Sequence, residues 1–573
     1  MLRGAARFRR CFRVKQDQPN QLRGHSMNRE SFHFTALKAW GLALLLAGPA
    51  SAQLQVATDT VAPPPEVPLE VRDGAIELSL DDAVELALRR NLGLVVERYT
   101  RSQAREGVRQ ALGLYDLGAS LDLQASDITN PGASRFQGSA SQAQQATFSF
   151  SQLIPTGATF GLGWQNVRSE SDANSITPLY SSGLTFSFSQ PLLRNRGTLA
   201  TERQLLLAQN QSQSSSQEFS RQVISTLQQV TNAYWNLVAA REQLKVARES
   251  LVLAQQLHER NRIQVEVGTL APLELVQSEA NIATNEEQII SSQTVVGNSE
   301  DALRQLLNLP EGPLWQSEIR PTTSPEVEAP PPVDIEAAIR MALEQRPEVK
   351  AQRLVVEQAR INSAYFRNQK LPSLDFSANY GLNGSNAKVV GTAPNGSPIV
   401  GPGSFSDALD QVINRDFTGW SAQLTLGIPL QNRSARAASS IADLTLKSAE
   451  VSLAQTEQQI MTQVRQAARQ VDSAAKQIEA AKASAHFQER SLDAEKKRYE
   501  NGMSSSFEIT RIQQDLTAAK SRQVNAIIAY RTAVTQLQQA TAQLLQAYDV
   551  TIDDPEAPAD RWDFSFFGGG RKP

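Results

Sequence analysis

The side chains that most often carry chemistry are scarce in this chain of 573 residues. It has one cysteine, Cys11, and four histidines, His25, His33, His258 and His486. A structural zinc site needs about four Cys/His ligands, and a thiol nucleophile needs a base beside it. No nucleophile–base pair, metal-ligand cluster or glycine-rich phosphate loop stands out, so no enzyme, cofactor or bound metal is expected. The net charge is −3, and the basic residues are dispersed after the first few dozen positions, which gives no footprint for nucleic acid.

The scarcity deepens if the N-terminus is removed. From Met27 the chain reads as a signal peptide. Arg29 and Lys38 supply the basic region, Ala39 to Ala47 the apolar stretch, and Ala50-Ser51-Ala52 the small-residue cleavage site, with cleavage after Ala52. Cys11, His25 and His33 lie before that cut, so the exported chain would have no disulfide. Hydrophobic residues make up 40% of the chain and charged residues 20%. Beyond the leader no apolar run approaches the ~20 residues of a membrane-spanning helix. Entry into a membrane would therefore have to be as a β-barrel.

The elements that position the remaining side chains occur twice. Leu80 to Asn91 (LDDAVELALRRN) is matched by Ile335 to Arg346 (IEAAIRMALEQR) at an offset of 255, each behind a helix-capping residue, Ser79 and Asp334. Each copy then runs through a helix, alternating strands, a proline, a very long helix, a glycine and another helix. The prolines are Pro191 and Pro429, strand-to-helix junctions that cannot donate to a ladder and suit a helix's first turn. The glycines are Gly268 and Gly502, which can take positive φ and end a helix sharply. The stretches 198–267 and 430–501 predict helices of about 105 Å each, which must pack side by side as coiled coils. The repeats span 76–307 and 334–547. A flexible segment at 53–75, a proline-rich linker at 308–333 and a disordered tail at 548–573 flank them.

Between the helices, apolar and polar residues alternate. Leu374, Phe376, Ala378, Tyr380 and Leu382 interleave with Ser373, Asp375, Ser377, Asn379 and Gly381, and Trp420, Ala422, Leu424 and Leu426 alternate likewise. Strands are expected at 119–126, 146–154, 157–166, 182–190, 373–382 and 417–428, with surface loops at 127–145 and 167–181 and a Gly/Asn/Ser/Pro-rich stretch, 383–416, joining the last two strands. One apolar, aromatic face and one small polar face suit a barrel with lipid outside and water inside. A soluble sandwich shows the same alternation. Four or six strands cannot close around water, so several chains must share the barrel.

These features resemble the outer-membrane efflux protein family typified by TolC. The resemblance rests on the doubled opening helix, Leu371-Pro372-Ser373-Leu374 entering a strand and Ser189-Gln190-Pro191-Leu192-Leu193 leaving one. It also rests on Ala233-Tyr234-Trp235-Asn236-Leu237 and on the turn sequences Arg262 to Gly268 and Arg498 to Gly502. It implies an α+β membrane protein: a trimeric transmembrane β-barrel of 12 to 18 strands, continued by a long α-helical coiled-coil tunnel through the periplasm. It further implies residence in the outer membrane of a Gram-negative-type bacterium, contact with outer-membrane lipid, and partnership with a periplasmic adaptor and an inner-membrane pump or exporter. The function implied is a passive exit duct of a tripartite efflux or type I secretion system. The alternative is a structural or adhesive coiled-coil outer-membrane protein.

By the same resemblance, a carboxylate six residues after each turn glycine, Glu274 and Glu508, lines a periplasmic gate. Gly268 and Gly502 then mark the adaptor-docking turns. Tyr499 corresponds to a tyrosine linking neighbouring coils, and a hydrogen bond to Glu274 is expected. Two departures accompany it. Arg511 stands where the family has a second aspartate and is expected to pair with Glu508, and Ser504 replaces an arginine.

Overall fold

The computed structural model describes residues 71–72, 74–129, 140–171, 176–326 and 334–552, all within the unit Glu66–Pro573. The leader and its cleavage site lie outside the described residues, as do most of the tail and part of the linker.

Chain order begins with β1 (Val71–Arg72), β2 (Ala75–Leu78), α1 (Leu80–Arg90) and α2 (Leu92–Leu112). Ser79 closes a capping box with Asp82 at the start of α1, satisfying donors that the first helical turn leaves free. Four strands follow: β3 (Gly118–Thr129), β4 (Ala140–Leu153), β5 (Thr159–Ser171) and β6 (Leu179–Pro191). A short helix α3 (Thr198–Thr201) leads into α4 (Arg203–Glu266), and a tight turn returns the chain as α5 (Leu273–Leu307). Next come α6 (Pro313–Gln316) and β7 (Glu318–Pro321). The second half runs α7 (Ile335–Gln345), α8 (Pro347–Asn368), β8 (Ser373–Ser385), β9 (Ala387–Thr392), β10 (Pro398–Pro402), α9 (Phe405–Asn414), β11 (Phe417–Gly427), α10 (Arg433–Glu500), α11 (Ser506–Ala540) and α12 (Leu544–Ala547).

The two long helices are as expected. α4 has 64 residues and α10 has 68, hence about 96 and 102 Å. Their starts lie slightly later than the prolines suggest. Neither Pro191 nor Pro429 enters a helical first turn. Pro191 is the last residue of β6, paired with Asp375, and the chain stays on the sheet as Leu192 donates to the carbonyl of Leu374. Among the described residues no helix is long and apolar enough to cross a membrane.

All six long strands join one antiparallel sheet in the order β11-β8-β6-β5-β4-β3. The pairing of β6 with β8 splices the two halves, with Leu184 opposite Leu382 and Phe188 opposite Ala378. Period-2 alternation puts Leu121, Phe148, Trp164, Leu184, Phe186, Tyr380, Trp420 and Leu424 on one face. Ser149, Thr185, Asn379 and Ser421 lie on the other. Most of the large apolar side chains are exposed, Trp420 at 79% and Leu123 at 67%. Strands β3 and β11 each pair on one side only.

The core lies around the middle of α4. Leu227, Val230, Tyr234 and Leu237 are fully buried, with Leu86, Leu303, Leu307 and Ile319 packed about them. Each such side chain contributes about 1.5–3 kcal/mol by leaving water. The hydroxyl of Tyr234 donates to the carbonyl of Leu78 and accepts from the amide of Thr323.

These bonds bracket a small sheet, β1-β2-β7, whose β2–β7 pairing is parallel. It lies partly within the stretches expected as flexible segment and linker. Glu300, Arg304 and Arg241 tie β7 to the helices: Arg304 Nη2 reaches Glu300 at 2.9 Å and the carbonyl of Ser317 at 2.8 Å. The expected tail also begins packed. Tyr548 hydrogen-bonds Thr231 at 3.0 Å, and Val550 and Ile552 pack on the same core.

Candidate functional site

The expected site residues gather where α4 turns into α5 and α10 into α11. The two turns share one geometry. Gly268 and Gly502 have φ of +77° and +71°, a region that costs other residues strain. The amide of Gly268 donates to the carbonyl of Val265, and that of Thr269 to Gln264. Gly502 and Met503 do the same to Tyr499 and Arg498. This is the Schellman closure of a helix C-terminus. Nothing stands within 4 Å of where a Cβ would be at either glycine, so backbone conformation alone demands glycine. Val267, Leu273 and Val276 at the first turn, and Met503 and Phe507 at the second, are largely exposed.

Below the turns, the ends of α4, α10 and α11 pack around Leu257, Leu492, Tyr499, Ile509, Ile512 and Leu516. Tyr499 is buried there. Its hydroxyl lies 2.7 Å from Asn261 Oδ1 and 2.8 Å from Gln264 Oε1. Asn261 is wholly buried and spends its amide nitrogen on Ser506 Oγ at 2.9 Å. Its Oδ1 is therefore the acceptor of the phenolic proton. Gln264 Oε1 is a second acceptor within reach of the same proton.

The tyrosine thus links α10 to α4, and the expected hydrogen bond to Glu274 is replaced. Asn261 and Gln264 lie near the C-terminal end of α4, within reach of Tyr499 on α10 and, for Asn261, of Ser506 on α11, whereas Glu274 opens α5. Glu274 acts on Tyr499 through its field. Burial first, and the Glu274 carboxylate second, hold the phenol above its usual pKa. Oε2 of Glu274 is itself shielded from solvent and has no hydrogen-bond partner. Arg260 and Glu500 add an outer ion pair between α4 and α10 at 3.2 Å.

The second acid is different. Glu508 lies in the first turn of α11, where its amide donates to the N-cap Ser505 Oγ at 3.3 Å. Arg511 grips its carboxylate with Nε at 2.7 Å and Nη2 at 3.2 Å, as expected, and Glu508 holds the guanidinium pKa up. Ser504 donates its hydroxyl to Glu495, which also pairs with Arg498. The two halves therefore place unlike groups at equivalent turns: a half-buried carboxylate with no cation paired to it among the described residues in the first, a neutralised one in the second. Sequence reasoning missed Asn261, Gln264 and Ser506. Their only signal was polar residues at core spacing on long helices. Among the described residues no group of His, Cys, Asp and Glu is arranged to hold a metal ion.

Three solved structures share this architecture. The Campylobacter jejuni CmeC outer membrane channel is 16% identical, with a TM-score of 0.58 over 83% of this chain and 90% of that one. The outer membrane protein VceC of Vibrio cholerae is 14% identical, with a TM-score of 0.57 over 81% and 95%. The open-state MtrE outer membrane channel of Neisseria gonorrhoeae is 16% identical, with a TM-score of 0.54 over 81% and 88%. At such identities the likeness establishes the fold. No curated protein matches the chain in sequence. The sequence pattern of the family described as Outer membrane efflux protein matches twice, over residues 83–309 and 338–543, once in each half that carries long helix, glycine turn and returning helix. The chain belongs to the outer membrane efflux protein family.

Proposed function

We infer that this protein is the outer-membrane channel component of an efflux system, in which three copies form one barrel and one periplasmic tunnel. The observation that carries the reading is the sheet. It is amphipathic, has both edges unpaired, and continues at each edge into helix. Six strands are too few to enclose water. Because six is even, β3 and β11 run antiparallel to each other, so a second copy's β3 can continue the ladder at β11 without changing its pattern. Three copies supply eighteen strands, in the range that leaves an aqueous lumen.

The helices beside the open edges support the same closure. α2, which runs into β3, exposes Leu92, Val96 and Tyr99 at helical spacing, and α10, which follows β11, exposes Ile441, Leu444 and Val451. Joined head to tail, these stripes would cover one another in a ring.

In this assembly the glycine turns form the periplasmic tip. Their exposed apolar residues offer an adaptor protein its docking surface, and an inner-membrane pump or exporter supplies the cargo. Three Glu274 carboxylates give the constriction a moderate cation preference, while Arg511 cancels Glu508. Single-channel recording from purified trimers in a planar bilayer tests this. A stable conductance whose cation preference falls in Glu274→Gln is expected. Trimers that stay silent both as wild type and with the tip loosened by Tyr499→Phe would overturn the channel reading.

A further inference from the structure

The segment between β8 and β11, expected only as a Gly/Asn/Ser/Pro-rich connection, contains a helix that the duct itself does not require. α9 has ten residues, about 15 Å, opened by a capping box between Ser404 and Asp407. Its buried side is Ala408 and Val412. It rests directly on the sheet: a Cβ at Gly384 would run into the carbonyl oxygen of Ala408. The Phe405 ring meets Tyr180 edge-on at 6.1 Å.

Those contacts identify the face. Ser182 pairs with Gly384 and Leu184 with Leu382, and side chains alternate along each strand. Tyr180, Ser182, Leu184, Leu382 and Gly384 therefore share the side that carries Phe186, Tyr380 and Trp420. α9 lies on the apolar face; Asn379, Gly381 and Asn383 of the polar face point the other way.

The contacts also identify a level. On this face Leu184, Leu382 and Trp164 end the apolar band. On β5 and β6 the next row is polar, with Ser182 opposite Asn166, and Arg168 follows opposite Tyr180, while on β3 and β4 that row is still apolar, with Leu123 opposite Ala146. Trp164 marks the border by donating its indole N–H to Ser182 at 3.0 Å. From Leu374 to Leu382 the band covers about 26 Å along the strand at 3.3 Å per residue. α9 crosses the sheet at its upper limit. Leu382, beneath it, is 8% exposed, whereas Trp420 lower on the same face is 79% exposed.

The helix is held at that level. Gln411 accepts the amide of Ser385 at 2.9 Å. The wholly buried Asn386 donates to the carbonyls of Pro178 and Gly403, both at 3.0 Å, and accepts the amide of Tyr180 at 3.0 Å.

We propose that α9 is an interfacial helix, lying on the outside of the barrel at the headgroup level of the outer leaflet and setting the height at which the channel sits in the membrane. Its occupant is lipid, because the face on which it rests is continuous with the lipid-facing face of the sheet. Ile413, 66% exposed, enters the acyl boundary, while Asp410, Asn414 and Arg415 stay in the polar layer. The inference rests on the barrel reading.

The test uses single cysteines in a Cys11→Ser background, at Ile413 on α9 and at Leu424 in the middle of the apolar band. Both positions are exposed, so neither change removes core packing. Each is labelled with an environment-sensitive dye, and the full-length protein is reconstituted in phospholipid vesicles carrying nitroxide at the headgroup or deep in the acyl chain. Ile413→Cys is expected to be quenched several-fold more by the headgroup nitroxide, and Leu424→Cys more by the deep one. A label at Ile413 that neither nitroxide quenches, while Leu424 responds, places α9 in water and overturns the proposal alone. Loss of quenching at both positions overturns the barrel reading along with it.

Discussion

Replacing Tyr499 with phenylalanine should loosen the junction beside the two glycine turns, the proposed periplasmic tip, by a definite amount. The ring would still fill its place among Leu257, Leu492 and Ile509, so little packing is lost. What disappears is the proton that Asn261 Oδ1 accepts at 2.7 Å, inside a junction where Asn261 is wholly buried. A buried acceptor left unpaired costs about 1–3 kcal/mol. At 1.4 kcal/mol per decade, that is a roughly 5- to 150-fold rise in the population with α10 separated from α4. Hydrogen–deuterium exchange of the assembled protein reads this directly. Amides of 255–266 and 500–512 should lose protection by that factor, while those of 225–240, in the core near Tyr234, stay unchanged. Asn261→Ala should lose similar protection, and the double variant should lose less than the sum, with a coupling of about 0.5–3 kcal/mol. The pH dependence has a fixed sign. Burial, then Glu274, raise the phenol's pKa, so the folded state holds its proton more tightly than the unfolded chain. The link is complete below pH ~10 and weakens as pH rises through the elevated value. Unchanged tip protection in Tyr499→Phe would refute the idea that this hydroxyl holds the coils together.

Three further outcomes follow from the same geometry. Arg511→Ala should uncover the Glu508 carboxylate and raise cation preference in a salt-gradient reversal potential, whereas Glu508→Gln should free the guanidinium and lower it; equal shifts in one direction would contradict the pairing. Gly502→Ala should cost only the ~1–2 kcal/mol of a positive φ, because no atom stands near the new Cβ, and trimers should persist on native gels. A bulky residue there is expected to abolish transport in an efflux assay while leaving trimers intact. Arg304→Ala should leave Glu300 with Arg241 as its one remaining cation and the carbonyl of Ser317 without that donor, and lower unfolding free energy in urea by about 1–3 kcal/mol.

Much of this molecule is local in origin and was therefore legible in the residues. The long helices follow from two stretches almost free of glycine and proline, and the structure moves their starts by only a few positions. All six long strands follow from alternation. The capping residues Ser79 and Asp334 and the Arg511–Glu508 pair, three residues apart on one helix, need only helical geometry. The capping box of α9 was also present, as Ser404-Phe405-Ser406-Asp407, but its surroundings of Gly, Asn, Ser and Pro gave the segment a loop's composition. Contacts between distant segments were not legible. β2 pairs with β7 across more than two hundred residues, and four residues at each strand carry too little pattern to announce a partner. Tyr499 finds Asn261 rather than Glu274 because the packing of the ends of α4, α10 and α11 around one another decides which polar residue lies beside it.

The sequence by itself determined the parts list: helices too long for a globule, strands with one apolar face, and a glycine at each helical turn. These are set by φ/ψ preference and by periods of 3.6 and 2.0, which act over a few neighbouring residues. Only the tertiary structure decided which carboxylate lacks a cation, which amides hold the tip tyrosine, and on which face and at what height α9 lies. Those depend on how helices rotate against one another and how strands register, and that balance is settled by the burial of whole faces at once.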